Sequence, residues 1–450
     1  MLFVLILDAT HGGLSARHQL AAYLSAKIVQ IKCRKNKLVD FFVTPPLYLC
    51  KTIVTTKTTQ VEKLFVFNPE NDLALAFGGQ NYTAPPFAAH LRRDLQVMPM
   101  WYACGQPVLA DPGRIAPEWL NAIGQVVPLS LVSAEQVVER NDTCHDLTAC
   151  PWGWSAAMRH QLLRQLHFPE SNLPSETQVE AMRQLSHRRT SIEIINRCSQ
   201  FMATPPLPEE KFSLEAALQF ATTHHDCYFK SPWSSSGHGV FHVFNLEASD
   251  FKEWCTGIVR RQGSVLCETA LCPTLEFGVE FLSHDGKVEV CGLSVFNNDF
   301  HQQLNTATVA STAHLHAIIS AKHPRFDQEL HSLVSSVLSS IIPQTYSGFF
   351  GIDMMLYRNG NGNTRLNPCV ELNLRPTFGL VTSVIGNSYL HPDSTGQFHF
   401  EYHPKGYSCH AVPPLQVQDC RFRSGRLYLA PVCHDTQFTA YIDITPNQQV

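Results

Sequence analysis

From Lys63 to about Ser175, short apolar runs alternate with stretches of helical period. The runs LFVFNP (64–69), PVLADP (107–112) and VVPLSL (126–131) read as buried strands, each closed by turn residues. PEWLNAIG and SAEQVVER carry a helical pattern, the second with Ser133 as a suitable N-cap. A further amphipathic helix begins in PWGWSAAMRHQLLRQL (151–166). Strands alternating with helices predict an α/β layer on a parallel sheet. A linker with Pro169, Asn172, Pro174 and Ser175 follows, and helices return in TQVEAMRQLSHRRTSIEIINRC and SLEAALQFATTH. Strands then dominate to the end, including FHFEYH and FTAYIDI.

Ahead of Lys63 the character differs. Lys32, Arg34, Lys35 and Lys37 cluster, and TTKTTQ (55–60) is polar. The reading divides the chain into an extension of doubtful order (1–62), an N-terminal α/β domain (63–175), two further units (176–262 and 263–397) and a strand-rich segment (398–450) whose role the sequence leaves open. A chain of 450 residues, 44% hydrophobic, has room for two or three cores.

Charge and cysteine content narrow the function classes. The net charge is −4, with 34 basic and 38 acidic residues, so no basic excess points to nucleic acid or an anionic membrane surface. The 15 cysteines are odd in number and scattered without a C-x-x-C pair, which predicts reduced thiols rather than a disulfide framework or a zinc site. No apolar run reaches the ~18–20 residues of a membrane helix. Leu2–Ile6 is followed by Asp8 and preceded by no basic segment, a poor export signal. The expectation is a cytoplasmic enzyme of open oligomeric state.

Three segments carry candidate chemistry. In CYFKSPWSSSGHGVFHVF (227–244) an apolar strand delivers Lys230 to a loop of small residues: Ser234, Ser235, Ser236, Gly237 and Gly239. Small residues let backbone N–H groups approach an anion, serines add donors, and the lysine adds a charge for phosphate. A polar-tipped hairpin reads equally well. In SVLCETALCPTLEFGVEF (264–281) one strand ends at Glu268 and another starts at Glu276, an arrangement that suits an adenine edge and ribose hydroxyls; taken singly, each glutamate also reads as an exposed hairpin carboxylate.

The third segment, GFFGIDMMLYRNGNGNTRLNPCVELNLRPTFG (348–379), is the most telling. Asp353, Met355 and Tyr357 alternate on one strand; Glu371, Asn373 and Arg375 alternate on the next; NGNGN supplies the turn. Paired as a hairpin, Asp353, Glu371 and Asn373 form an all-oxygen set suited to magnesium, with an exposed strand face carrying an ion pair as the other reading.

Lysine with a small-residue loop, then two glutamates, then Asp and Glu-x-Asn: this order resembles the ATP-grasp superfamily over about 200 residues, Ser186 to Val381. LFVFNPENDLALA and LPSETQVEAMRQLSHR further resemble a bacterial group of ATP-grasp proteins. The resemblance implies an N-terminal α/β domain ahead of two subdomains that clasp ATP. It implies Lys230 on the phosphates and the Ser234–Gly239 loop closing over them. Glu268 and Leu271 would form the adenine hinge, Glu276 would hold ribose, and Asp353, Glu371 and Asn373 would hold magnesium. Arg375 matches an arginine that some members use on the transferred phosphate. The sequence departs from the pattern in its serines, in His238 where a basic residue is frequent, and in lacking an earlier phosphate lysine, for which Arg188 or Arg189 would substitute.

The implied chemistry is ATP- and magnesium-dependent ligation of a small-molecule carboxylate to an amine or a thiol through an acyl phosphate. A small-molecule kinase and a nucleotide-binding module without turnover stay open. Glu70, Asn71 and Asp72, just past the first strand, read either as residues lining the acceptor side or as a helix N-terminus with acidic residues in its first turn.

Overall fold

The computed structural model describes residues 62–234, 239–244, 249–296, 306–408 and 411–447. Of the extension expected over 1–62, only Glu62 falls among them, and Ser235, Ser236, Gly237 and His238 lie outside them.

Among the described residues three sheets make a mixed α/β fold. The first contains β1 (Glu62–Val66), β2 (Val108–Leu109), β3 (Leu131–Val132) and β4 (Leu147–Pro151), all parallel, in the order β3-β2-β1-β4. Parallel strands are covered on both faces, so β1 turns wholly apolar after Glu62 and Lys63, with Leu64, Phe65 and Val66 buried. Helices follow the strands, and Ser133 closes a reciprocal capping box with Gln136. Two strand expectations need correction. VVPLSL is mostly irregular, because Pro128 has no N–H to give a ladder, and pairing begins only at Leu131. β4, the direct partner of β1, carries no β-branched run and gave no signal.

The second sheet contains β5 (Glu209–Lys211), β6 (Asp226–Lys230), β7 (Val240–Phe244) and β8 (Val265–Thr269), antiparallel in the order β5-β8-β6-β7. Helices Leu214–His224 and Ser249–Gln262 cover it, and their core is self-contained: Phe220, Phe229, Phe251 and the buried free thiols Cys227, Cys255 and Cys267.

The third sheet has nine strands: β9 (Cys272–His284), β10 (Lys287–Phe296), β11 (Thr306–Val309), β12 (Gly348–Arg358), β13 (Thr364–Asn373), β14 (Ser394–Tyr402), β15 (Gln416–Gln418), β16 (Arg421–Tyr428) and β17 (Phe438–Pro446). Its order is β13-β12-β9-β10-β11-β14-β17-β16-β15, antiparallel throughout. Pro368 is tolerated because β13 is an edge strand. The core of this sheet is shared with the first: Trp101, Tyr102 and Trp152 pack with Phe349, Phe398, Phe422 and Ile442. The Trp101 indole donates to the Leu429 carbonyl at 3.0 Å, and Asp94 accepts the N–H groups of Gln437 and Phe438. Among the described residues no helix is long and apolar enough to cross a membrane.

Candidate active site

The β12–β13 hairpin pairs regularly from Arg358↔Thr364 to Met355↔Asn367. Continued in that register, Asp353 would face Cys369. A bulge around Pro368 inserts two residues instead, so Asp353 faces Glu371. The Asn367 side chain stabilises the bulge by accepting the Cys369 N–H at 3.2 Å. The expected alternation thus brings the right side chains together only through this irregularity. Asn373 completes the set, its amide donating to Asp353 Oδ2 at 3.3 Å.

Burial, and then the charge of Glu371, push the Asp353 carboxyl up to about 7. Two carboxylates and an amide with an excess of negative charge fit a hard cation such as magnesium. No three His, Cys, Asp or Glu side chains gather in this way among the described residues; the set has two carboxylates and completes itself with Asn373.

Arg188 ties this face to the small-residue loop. Only 6% exposed, it precedes the helix Arg189–Cys198. Its Nη1 donates to the Ser231 carbonyl (2.7 Å) and to Ser234 Oγ (2.6 Å), while Nη2 donates to Glu371 Oε1 (2.8 Å). Its buried Nε has no partner among the described residues. Arg189 turns outward, half-exposed, toward Glu210 at 3.8 Å. Of the two candidates for the missing lysine, Arg188 is the one in the site.

The loop is closed at its base by glycine. Ser231 N–H and Oγ both donate to the Gly239 carbonyl, at 2.7 and 3.1 Å, and a Cβ on Gly239 would lie 1.9 Å from Ser231 Oγ. Trp233 anchors the other side: Arg183 stacks over its ring at 3.9 Å and His187 packs edge-on at 4.5 Å. Burial, then the charges of Arg189, Arg183 and Arg188, hold His187 down to about 3, so it is neutral. Sequence reasoning missed both Trp233 and His187, since neither carries a distinctive spacing.

Lys230, at the end of β6, is buried and ion-paired with Glu268 on β8. Leu271 follows in the short link between β8 and β9, half-buried. Glu276 lies on β9 opposite Met355. The β8–β9 link thus carries the chain from the second sheet, which holds Lys230 and Glu268, into the third, which holds Glu276 and Asp353.

Arg375 departs from expectation. β13 ends at Asn373, so Arg375 does not continue the strand row. Its guanidinium grips Asp72 in the first turn of the helix Asn71–Phe77 that follows β1, with Nη2 to Oδ2 at 2.7 Å and Nε to Oδ1 at 3.2 Å. Asn71, Asp72, Arg188, Ser234, Glu371 and Asn373 line one narrow crevice where all three sheets meet.

No protein family's sequence profile matches the chain, and no curated protein matches it. Solved structures do. The biotin carboxylase of Campylobacter jejuni is 11% identical with a TM-score of 0.51, over 86% of this chain and 88% of that one. The biotin carboxylase domain of the Hydrogenobacter thermophilus 2-oxoglutarate carboxylase, solved with MgADP, ADP and bicarbonate, is 12% identical with a TM-score of 0.50, over 86% of both chains. N5-carboxyaminoimidazole synthetase of Staphylococcus aureus, solved with ADP, is 13% identical with a TM-score of 0.46, over 86% of this chain and 94% of that one. Identity this low speaks for architecture alone, and the architecture agrees with the motif order read from the sequence: the chain has the ATP-grasp fold.

Proposed function

We propose that the chain is an ATP- and magnesium-dependent ligase that joins a small-molecule carboxylate to an amine, or to a thiol, through an acyl phosphate. The observation that carries this reading is Arg188, whose guanidinium joins the base of the phosphate loop to Glu371 beside Asp353 and Asn373. A buried arginine with an unspent N–H, set between small-residue loop and oxygen ligands, is suited to a phosphate chain held by metal.

In this reading Asp353, Glu371 and Asn373 would hold magnesium, which would supply neutralising charge for the phosphates. Lys230 leaves Glu268 for the phosphates. Arg188 holds Ser234 in place and keeps Glu371 pointed at the metal position. Glu276 and the β8–β9 link at Leu271 take the nucleoside. Ser234, at the described edge of the small-residue loop, offers its hydroxyl to the phosphates. Arg375 positions the first sheet through Asp72 and places positive charge beside the crevice, where a carboxylate must approach a polyanion. The described carboxylases of like fold were solved with ADP and bicarbonate, or with a βγ-ATP complex, which accords with nucleotide and oxyanion sharing such a crevice.

Calorimetry with Mg-ATP tests this on the intact chain and on Asp353→Asn/Glu371→Gln. Micromolar binding by the intact chain, lost in the double variant, is expected; no binding by a folded intact chain overturns the reading. Phosphate release requiring both a carboxylate and an amine or thiol supports ligation, whereas a phosphorylated hydroxyl product replaces it with a kinase.

A further inference from the structure

A second polar pocket, of about 140 Å³, opens from the N-terminal α/β domain at the carboxyl ends of β1 and β4. Asn68, Glu70, Gln80, Tyr82, Arg92 and His160 contribute to its lining. Glu70 and Arg92 form an ion pair there, with Glu70 only 6% exposed. Three buried polar atoms have no partner among the described residues: Glu70 Oε2, Arg92 Nε and Tyr82 Oη. Burial, opposed by Arg92, raises the Glu70 carboxyl, and burial together with the Glu70 charge pushes the Tyr82 phenol up to about 12. The Asn68 amide is already spent bridging the Gly153 N–H and carbonyl, so it fixes the wall rather than reading a ligand.

We infer that this cavity binds the amine substrate as a zwitterionic α-amino acid, an inference that rests on the ligase reading above. The unspent groups are one carboxylate oxygen, one guanidinium N–H and one phenol. A ligand ammonium satisfies Glu70 Oε2; a ligand carboxylate satisfies Arg92 Nε and Tyr82 Oη. The pair Glu70–Arg92 is neutral as a whole, so a lone anion or a lone cation would bring an uncompensated charge beside the buried Glu70 carboxyl, while a zwitterion brings none. The volume corresponds to roughly four or five water molecules, the size of the head of an amino acid rather than of a nucleotide. Asn71 is the link to chemistry: it lines this cavity and also the crevice that holds Arg188, Glu371 and Asn373. The run Glu70-Asn71-Asp72 is thereby divided, with Glu70 serving the cavity and Asp72 holding Arg375.

The test is calorimetric titration of the full chain with the common L-amino acids, without nucleotide. The 2-hydroxy acid and the decarboxylated amine of each binder serve as controls, and Glu70→Gln and Tyr82→Phe as variants. The expected result is that at least one amino acid binds, that both controls bind roughly tenfold more weakly or worse, and that each variant loses a similar factor. Tyr82→Phe removes only a hydroxyl, so it carries the test if Glu70→Gln fails to fold. The inference is overturned if no amino acid binds to the folded chain, if a control binds as well as the amino acid, or if Tyr82→Phe binds unchanged. Because nucleotide is absent, a failure here is separate from a failure of Mg-ATP binding.

Discussion

Glu280 sits in the middle of β9, 3% exposed, with glycines around its carboxylate. A Cβ on Gly379 would lie 2.1 Å from its Oε1, one on Gly351 2.9 Å from its Oε2, and one on Gly278 3.2 Å from its Oε1. Burial first, then the Asp353 charge against donors such as Thr377, pushes Glu280 up to about 8. In the unfolded chain it titrates near the ordinary ~4.3. Below that pH both states hold the proton, so the group costs nothing. Between roughly 4.3 and 8 the unfolded chain releases its proton first, so folding stability falls as pH rises. The loss, roughly 3–5 kcal/mol, is complete above about pH 8. Denaturant titrations at pH 5 and pH 8.5 are expected to show Glu280→Gln gaining on the parent at the higher pH; equal pH profiles would contradict this. Nothing in EFGVEF distinguishes Glu280 from Glu276, and only the surrounding glycines, from β9, β12 and the helix Phe378–Val384, give it away. Arg188 was legible as one of two arginines in SHRRT, but the choice between them needed the fold. Arg188→Lys keeps the charge and loses the three-way geometry. Its ATP turnover is expected to fall about a hundredfold while the chain stays folded, as steady-state phosphate release would show.

At the scale of elements, the β12–β13 hairpin shows what periodicity reads and what it omits. The turn NGNGN and the alternation of Glu371 with Asn373 were visible. The register was not, since only Pro368 hinted at the bulge that brings Glu371 opposite Asp353. The short strands of the first sheet were harder still: β2 and β3 have two residues each, too few to show a period. Close backbone approach is equally hidden. Gly386 lies in a π-helical turn, Ile385–Tyr389, where a Cβ would meet the Ala310 backbone carbonyl at 2.2 Å. A backbone atom cannot swing aside as a side chain can. Gly386→Ala is therefore expected to cost about 2 kcal/mol or more, measured by urea unfolding; a change under about 0.5 kcal/mol would exclude this tight approach.

Across the whole molecule, polar links at the crevice connect sheets whose cores are partly separate. The second sheet keeps a core of its own. The Asp72–Arg375 pair, about 15% exposed on both sides, joins the first sheet to the third. Arg375→Met leaves Asp72 without its cation and is expected to lose roughly 2–4 kcal/mol. Adding Asp72→Asn should restore part of it, giving a coupling of about 1 kcal/mol or more in a double-mutant cycle; strict additivity would show that the pair contributes nothing. The sequence announced Asp72 and Arg375 separately, but their meeting spans 303 positions and no local pattern encodes it.

The shared core of the first and third sheets also orders events during synthesis. The Trp101 indole reaches a carbonyl 328 positions further on, and Asp94 takes two N–H groups still later in the chain. When the ribosome has made the first parallel strands, the surface that will cover Trp101 and Tyr102 does not yet exist. β1 to β4 can pair, but one apolar face stays only partly covered until Phe422 and Ile442 have emerged. The amino-terminal half therefore waits for the carboxyl end, and a nascent chain stalled before β16 exposes a wide aromatic surface for chaperones to hold.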